Sequence, residues 1–376
     1  MVSLHVDTAR TWRGGQNQVL LTVLGLRARG HRAVLVAHPD GELRRRAANL
    51  DDLILLAPRM ELDLTAAWKL SRLLREQKPD IVHAHDAHAV AMTALAISLG
   101  GAAVSTRFVA ARRVTFHVGR NTFSRWKYRQ VDRFICASAF IRSILAGDGI
   151  PSNRLDVVYD GVDLTQVHTA PLANAHRTFC LPHGAPLVGN VAALDPGKGQ
   201  QYLVDAAHIV VRKIPDARFL IVGQGELENT LRHQIKHLNL EKHVVLTGFR
   251  QDVLSLQKRF DIFVMCSLSE GLGTSALDAM ACGRPVVATL VGGLPEVVDH
   301  RETGLLVPAR DPGSLADAII ELLQNRILRE QYGNTAQERV NERFSADRMI
   351  DETVEVYRRV AHTRHAADTA GPPAAD

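Results

Sequence analysis

Aromatic residues are scarce, at 5% of 376 positions. That weakens any reading built on stacked nucleic-acid bases, and no nucleic-acid module signature accompanies the charge. The four cysteines (Cys136, Cys180, Cys266, Cys282) form no CxxC pair, which argues against a disulfide framework or a structural zinc site and for reduced thiols. No stretch approaches the roughly 18 consecutive apolar residues of a membrane span. The opening MVSLHVDTAR lacks a basic run followed by an apolar one, so no secretory signal is expected. No G-x-G-x-x-G follows the apolar run Val2–Asp7, and Gly223-Gln-Gly225 is followed by no third glycine at the required spacing. A nicotinamide-dependent dehydrogenase is thereby disfavoured.

What is present is an ordinary globular composition, 46% hydrophobic and 23% charged, long enough for two domains. The net charge of +5 is uneven: residues 1–165 carry +8 and the remainder −3. The two halves are therefore expected to meet different partners.

Short apolar runs alternate with helical patterns. In the first half the strand-like runs are Val2–Asp7, Ala33–His38, Leu53–Ala57, Asp80–His85, Ala102–Val109, Arg133–Ser138 and Asp156–Tyr159. Amphipathic helices are expected over Gln16–Arg29, Leu64–Gln77 and Ala87–Leu99. The pattern breaks over Gly161–Pro186, and a second alternating set follows from Leu187. This βα order predicts two α/β, Rossmann-like domains with mostly parallel sheets. The expected division is 1–165, a linker at 166–186, a second domain at 187–345, a last helix at 346–363 and a disordered tail at 364–376. Ligand loops in such domains lie at the carboxyl ends of the strands.

The most informative segment is Ser267-Leu-Ser-Glu270-Gly-Leu-Gly-Thr-Ser-Ala-Leu-Asp278. A buried strand leads into a glycine-containing loop that opens a helix, a ready anion site. Gly271 and Gly273 let the backbone approach a phosphate closely. Glu270 can contact sugar hydroxyls, and Asp278 can accept both ribose hydroxyls; two ordinary helix-associated acids are the simpler alternative. His83, His85, Asp86 and His88 form H-x-H-D-x-H, which invites a metal. The spacing differs from the zinc pattern H-x-H-x-D-H, and no metal is expected.

The acidic segment resembles the E-x7-E region of the retaining GT-B glycosyltransferases of family 4. The likeness extends in order along the chain through Arg13-Gly14-Gly15, Asp80-Ile-Val-His-Ala-His85-Asp86, Tyr159-Asp-Gly161-Val-Asp163, Asp195-Pro-Gly-Lys198-Gly199, Val222-Gly223-Gln-Gly225, Gly248-Phe249, Gly292-Gly293-Leu-Pro-Glu296 and Gly304-Leu-Leu-Val. The resemblance implies an α/β GT-B fold: two Rossmann-like domains facing each other across a cleft, the C-terminal helix crossing back to the first. It also implies a metal-independent hexosyl- or glycosyltransferase using a nucleotide sugar, UDP-sugar favoured, with no cofactor. His85, Glu270 and Lys198 would be catalytic. Gly14, Gly15, Lys198, Gly223, Gly248, Phe249, Glu270, Gly271, Leu272, Gly273, Thr274 and Asp278 would bind the donor. The acceptor would meet Arg13, His85, Arg112 and Arg113.

Two positions depart from the family. Asp278 stands where the family usually has Glu. Ala193 stands where an arginine usually grips the diphosphate, leaving Arg13 and Arg250 as substitutes by loop position, and leaving a catalytically weakened nucleotide-sugar-binding homologue as the alternative. Arg107–Arg133 holds eight basic residues and one acid. That concentration suggests an anionic saccharide or lipid-linked saccharide acceptor in cell-envelope glycan or lipopolysaccharide synthesis. It also suggests peripheral contact at the inner membrane face; the reduced thiols imply a cytoplasmic location, and with no module signature no nucleic-acid partner is expected.

Overall fold

The computed structural model describes residues 1–100, 106–119 and 121–362. The chain forms two compact units, Met1–Asp160 with the chain from Ala346 onward, and Gly161–Ser345. The expected tail at 364–376 lies outside the described residues.

The first unit holds seven parallel strands: β1 (Val2–Asp7), β2 (Arg32–Ala37), β3 (Leu53–Leu55), β4 (Ile81–Ala84), β5 (Arg107–Arg112), β6 (Arg133–Cys136) and β7 (Leu155–Val157), in spatial order 3-2-1-4-5-6-7. The second holds six: β8 (Leu187–Val191), β9 (Arg218–Val222), β10 (Val244–Gly248), β11 (Ile262–Met265), β12 (Val286–Thr289) and β13 (Gly304–Val307), in order 10-9-8-11-12-13. Both sheets reverse their winding once, between β1 and β4 and between β8 and β11. Crevices at such reversals are where α/β sheets take ligands.

Strand β5 extends to Arg112, past the Val109 end of the expected run, whose residues 102–105 lie outside the described residues. Arg107 N–H donates to Asp80 O (2.9 Å), and Ile81 pairs with Arg107 in register. Pairing with β4 and β6 carries the strand beyond the apolar run and draws Arg112 into it. Two helices that periodicity does not reveal, Thr122–Arg129 and Ala139–Gly147, are set by side-chain caps: Asn121 accepts from Ser124 N–H and Ser138 from Ile141 N–H.

In the first sheet, alternate residues face opposite layers. Leu4, Val6, Val82 and Phe108 enter one apolar layer. Leu35, Ile81 and Val109 enter the other, with Ile350 and Tyr357 of the last helix, Ala346–His362. That helix packs on helix Gly14–Ala28 so closely that a Cβ on Gly25 would overlap Ile350. Arg29 seals the contact, with Asp351 at 2.6 Å and Asp347 at 3.1 Å.

The stretch 166–186, expected as a linker, is part of the second unit. Asp163 and Asn174 cap the short helices Leu164–Thr169 and Ala175–Thr178. Lys258 Nζ donates to Ala170 O (2.6 Å) and Arg259 Nε to Ala173 O (2.7 Å). Helices of six and four residues are too short to show periodicity, so the sequence reads as irregular.

Candidate active site

In the second unit, β11 runs into the loop before helix Thr274–Ala281. The N-cap residue, Gly273, has no side chain with which to cap that helix and has φ 103°, a left-handed conformation that favours glycine. The first-turn amides and the positive helix end, which Gly273 cannot cap, can therefore receive an anion. Glu270 leaves this loop and accepts from Lys198 Nζ (2.7 Å) and Ser267 Oγ (3.0 Å). Lys198 ends the 3-10 turn Pro196–Lys198, and a helix begins at Gln200.

The two loops are joined by backbone. Leu268 N–H donates to Gly197 O (2.8 Å). A Cβ at Gly199 would overlap Cys266 O, and one at Gly292 would overlap Glu270 O. Gly293 N–H donates to that same carbonyl (3.1 Å). Asp278 is partly buried, with no hydrogen bond to its carboxylate among the described residues. Burial pushes its pKa up to about 7. A half-buried carboxylate with no hydrogen-bond partner can accept hydroxyls from a polar ligand.

In the first unit, the reversal point carries Asp7, His85 and Asp86. Asp86 caps helix Ala87–Ser98 through His88 and Ala89 N–H (both 2.9 Å) and takes Thr8 N–H (2.6 Å) and Oγ–H (2.8 Å). Asp7 accepts from Gln16 Nε2 (3.1 Å) and Ala9 N–H (3.1 Å), and burial first, then Asp86, raises its pKa to about 6. His85 lies between His5 (Nε2 to Nδ1, 3.0 Å) and Arg113 (Nδ1 to Nη1, 3.4 Å). Arg113 Nε donates to the buried Asp160 (2.8 Å). Burial holds His85 neutral, its pKa well below the usual imidazole value.

A model of family-4 glycosyltransferases matches residues 12–166, and one of group 1 glycosyl transferases matches residues 174–339. The chain belongs to the GT-B glycosyltransferases of family 4. This glycosyltransferase is 26% identical over 300 residues to N-acetyl-alpha-D-glucosaminyl L-malate synthase of Bacillus anthracis, covering 78% of each chain. It is 26% identical over 309 residues to the Escherichia coli UDP-Gal:alpha-D-GlcNAc-diphosphoundecaprenol alpha-1,3-galactosyltransferase, covering 78% of this chain and 79% of that one. Its fold matches Anabaena HepE, solved in complex with UDP and glucose, with a TM-score of 0.83 at 20% identity, over 96% of this chain and 100% of that one.

Within this glycosyltransferase the structure brings Lys198, Glu270, Gly271, Gly273 and Thr274 to one strand edge. Gly223 packs on the Ala192 carbonyl, where a Cβ would overlap, and its N–H donates to Gly248 O (3.0 Å). Phe249 beyond it is exposed. Leu272 is buried, so its side chain is not open to a ligand. Gly14 and Gly15 open the helix that follows Arg13, which is exposed.

Arg112 does not present an open cation. It is buried and donates to Phe116 O, bracing the loop after β5. Other bases of the 107–133 segment are similarly engaged: Lys127 with Glu61, Arg133 with Asp156, Arg107 with Val360 O. Arg120 lies outside the described residues. Arg250, expected by loop position to stand in for the arginine absent at Ala193, is held by both oxygens of Asp252 (2.8 and 2.7 Å). Asp86 and His88 do not join a ligand set; the His/Cys/Asp/Glu group with converging atoms among the described residues is His5, His83 and His85.

Sequence reasoning missed Asp7, His5, Ser267 and Asp160. A signal existed for the first two. Strands buried on both faces read as continuous apolar runs, yet Ser3, His5 and Asp7 interrupt β1 at period two.

Proposed function

We propose that this glycosyltransferase moves a sugar, with retention and without a metal, from a UDP-sugar to a saccharide or lipid-linked saccharide in cell-envelope glycan synthesis. The observation that carries the reading is the Lys198–Glu270 pair beside an uncapped helix N-terminus at the β8/β11 reversal. A donor diphosphate supplies the anion for Lys198 and the helix amides, releasing Glu270 to the sugar. Asp278 takes the ribose hydroxyls. The bond from the anomeric carbon to the diphosphate breaks as the acceptor oxygen bonds to that carbon, and the departing phosphate oxygen takes the acceptor proton. Lys198 and the amides offset the charge that grows on the leaving group. His85 receives a substrate hydroxyl.

The UDP preference is supported by the UDP complex of HepE and the UDP-galactose donor named for the E. coli relative. The acceptor class is supported by that relative's undecaprenyl-linked saccharide. An anionic acceptor now rests on Arg13 and on the first unit's overall charge. None of the helices among the described residues is long and apolar enough to cross a membrane; we place the protein at the cytoplasmic membrane face as a peripheral enzyme.

Thermal shift across UDP-, GDP- and ADP-sugars, followed by transfer to a lipid-linked acceptor, tests the reading. A UDP-sugar should stabilise most and be consumed. Stabilisation without transfer or hydrolysis would favour the weakened homologue that Ala193 raises.

A further inference from the structure

Strands β1 and β4 place three histidines on one face. His5 and His83 are partners in the parallel register, and His85 follows His83 by two residues. All three rings enter the layer occupied by Tyr357, whose hydroxyl pairs with His83 Nδ1 at 2.6 Å. The His83 and His85 ring centres are 4.0 Å apart, and the His5 and His85 rings lie only 17° from coplanar.

A metal is one reading of converging imidazoles. Two nitrogens on a tetrahedral zinc sit about 3.4 Å apart, from bonds of roughly 2.0–2.1 Å. Here His5 Nδ1 and His85 Nε2 are at 3.0 Å, and His83 lies over the His85 ring rather than edge-on to a shared point. The spacing is that of a hydrogen bond.

The direction of that bond is set by the one partner that cannot switch. A guanidinium has donors only. Arg113 is fixed by the buried Asp160 and reaches His85 Nδ1 at 3.4 Å. His85 Nδ1 therefore carries a lone pair. In a neutral imidazole the proton is then on Nε2, which donates to His5 Nδ1. His5 carries its own proton on Nε2 and donates to Ser3 Oγ at 3.0 Å. Burial lowers the pKa of His5 to about 3 and those of His83 and His85 in the same direction, so each ring has one proton to place.

We infer that His5 is a positioning residue: through the chain Arg113, His85, His5, Ser3 it locks His85 in the Nε2–H tautomer, leaving Nδ1 as a hydrogen-bond acceptor at the strand edge. His5 is fully buried and touches no substrate. The consequence is a polarity of recognition. A substrate hydroxyl that displaces the long 3.4 Å Arg113 contact donates to His85 Nδ1, which has no hydrogen to give to a substrate oxygen. This rests on the substrate role proposed above for His85; the tautomer itself does not.

The test has two parts. Nitrogen-15 histidine spectra of the resting protein, with the His85 signals identified by their loss in His85→Ala, should show His85 neutral and protonated at Nε2. His5→Leu removes the acceptor and should lower kcat roughly 10–100-fold, as loss of a partner that orients a site histidine does, with donor KM within about twofold. His5→Asn keeps an oxygen able to accept from His85 and should recover most of that loss. An Nδ1–H tautomer, an imidazolium, or stoichiometric zinc in the purified protein would overturn the proposal, as would a folded His5→Leu with normal kcat. If His5→Leu fails to fold, the wild-type spectrum decides. Full turnover by His85→Ala with the Nε2–H signal intact in wild type would instead remove the substrate role and leave the tautomer standing.

Discussion

Lys198 and Glu270 neutralise each other at 2.7 Å before any donor arrives. Each is thus held in place by the other, and in the proposed mechanism the donor diphosphate takes the carboxylate's place on Lys198. Lys198→Ala and Glu270→Gln should each lower turnover by roughly 10²–10³, the effect of removing one contact to transition-state charge. Steady-state rates with unchanged melting temperatures would establish this; near-normal rates in both would remove the donor site proposed here. Asp278 allows a pH test. Its carboxyl, at about 7, must be ionised to accept both ribose hydroxyls, whereas a nucleotide-sugar diphosphate does not titrate near neutrality. Donor affinity should rise as pH climbs through about 7, and Asp278→Asn should bind more weakly with that pH dependence gone. Calorimetric titration between pH 6 and 8 measures both. The same raised value means the folded chain holds a proton that the unfolded chain, with Asp near 3.9, has released. This group's contribution to stability therefore falls as pH rises from about 4 to 7 and is lowest above 7.

At the scale of elements, the site is a set of loops clamped backbone to backbone. Gly292 has φ 58°, and a Cβ there would overlap the Glu270 carbonyl. Gly292→Ala should displace the Glu270 loop and lower turnover at least tenfold. Gly30→Ala is the matched control. Gly30 has φ 76° with open space around it, so the change brings left-handed strain of roughly 1–2 kcal/mol and no clash. Equal turnover in the two variants would show that the close approach at Gly292 has no bearing on Glu270.

Across the whole molecule, the first half remains basic even though many of the bases between Arg107 and Arg133 brace structure. Arg13, exposed ahead of helix Gly14–Ala28, is the accessible cation among those expected to meet the acceptor. Arg13→Glu should raise acceptor KM most at low salt, since screening acts over roughly 8–10 Å at moderate ionic strength, with donor affinity unchanged. Kinetics independent of salt and of this charge would indicate a neutral acceptor. Activity should also survive dialysis against EDTA. Loss on chelation with rescue by a divalent ion would contradict the metal-free mechanism.

The family and the α/β GT-B architecture were legible in the sequence, because alternating apolar runs, glycine loops and the spacing of Glu270 from Asp278 are local signals. Lys198 and Glu270 could each be singled out from their own loops. That they pair across 72 positions could not, because loops meet only once β8 and β11 lie side by side. Register decided the rest. Pairing with β4 and β6 carried β5 through to a buried Arg112, leaving Arg113 at the edge beside His85. The same pairing of β1 with β4 set His5 against His85. Side-chain period along a strand is visible residue by residue, but which residue stands opposite is a long-range choice. It is made by the burial of whole faces, and a one-residue slip would have turned these histidines into the opposite apolar layer.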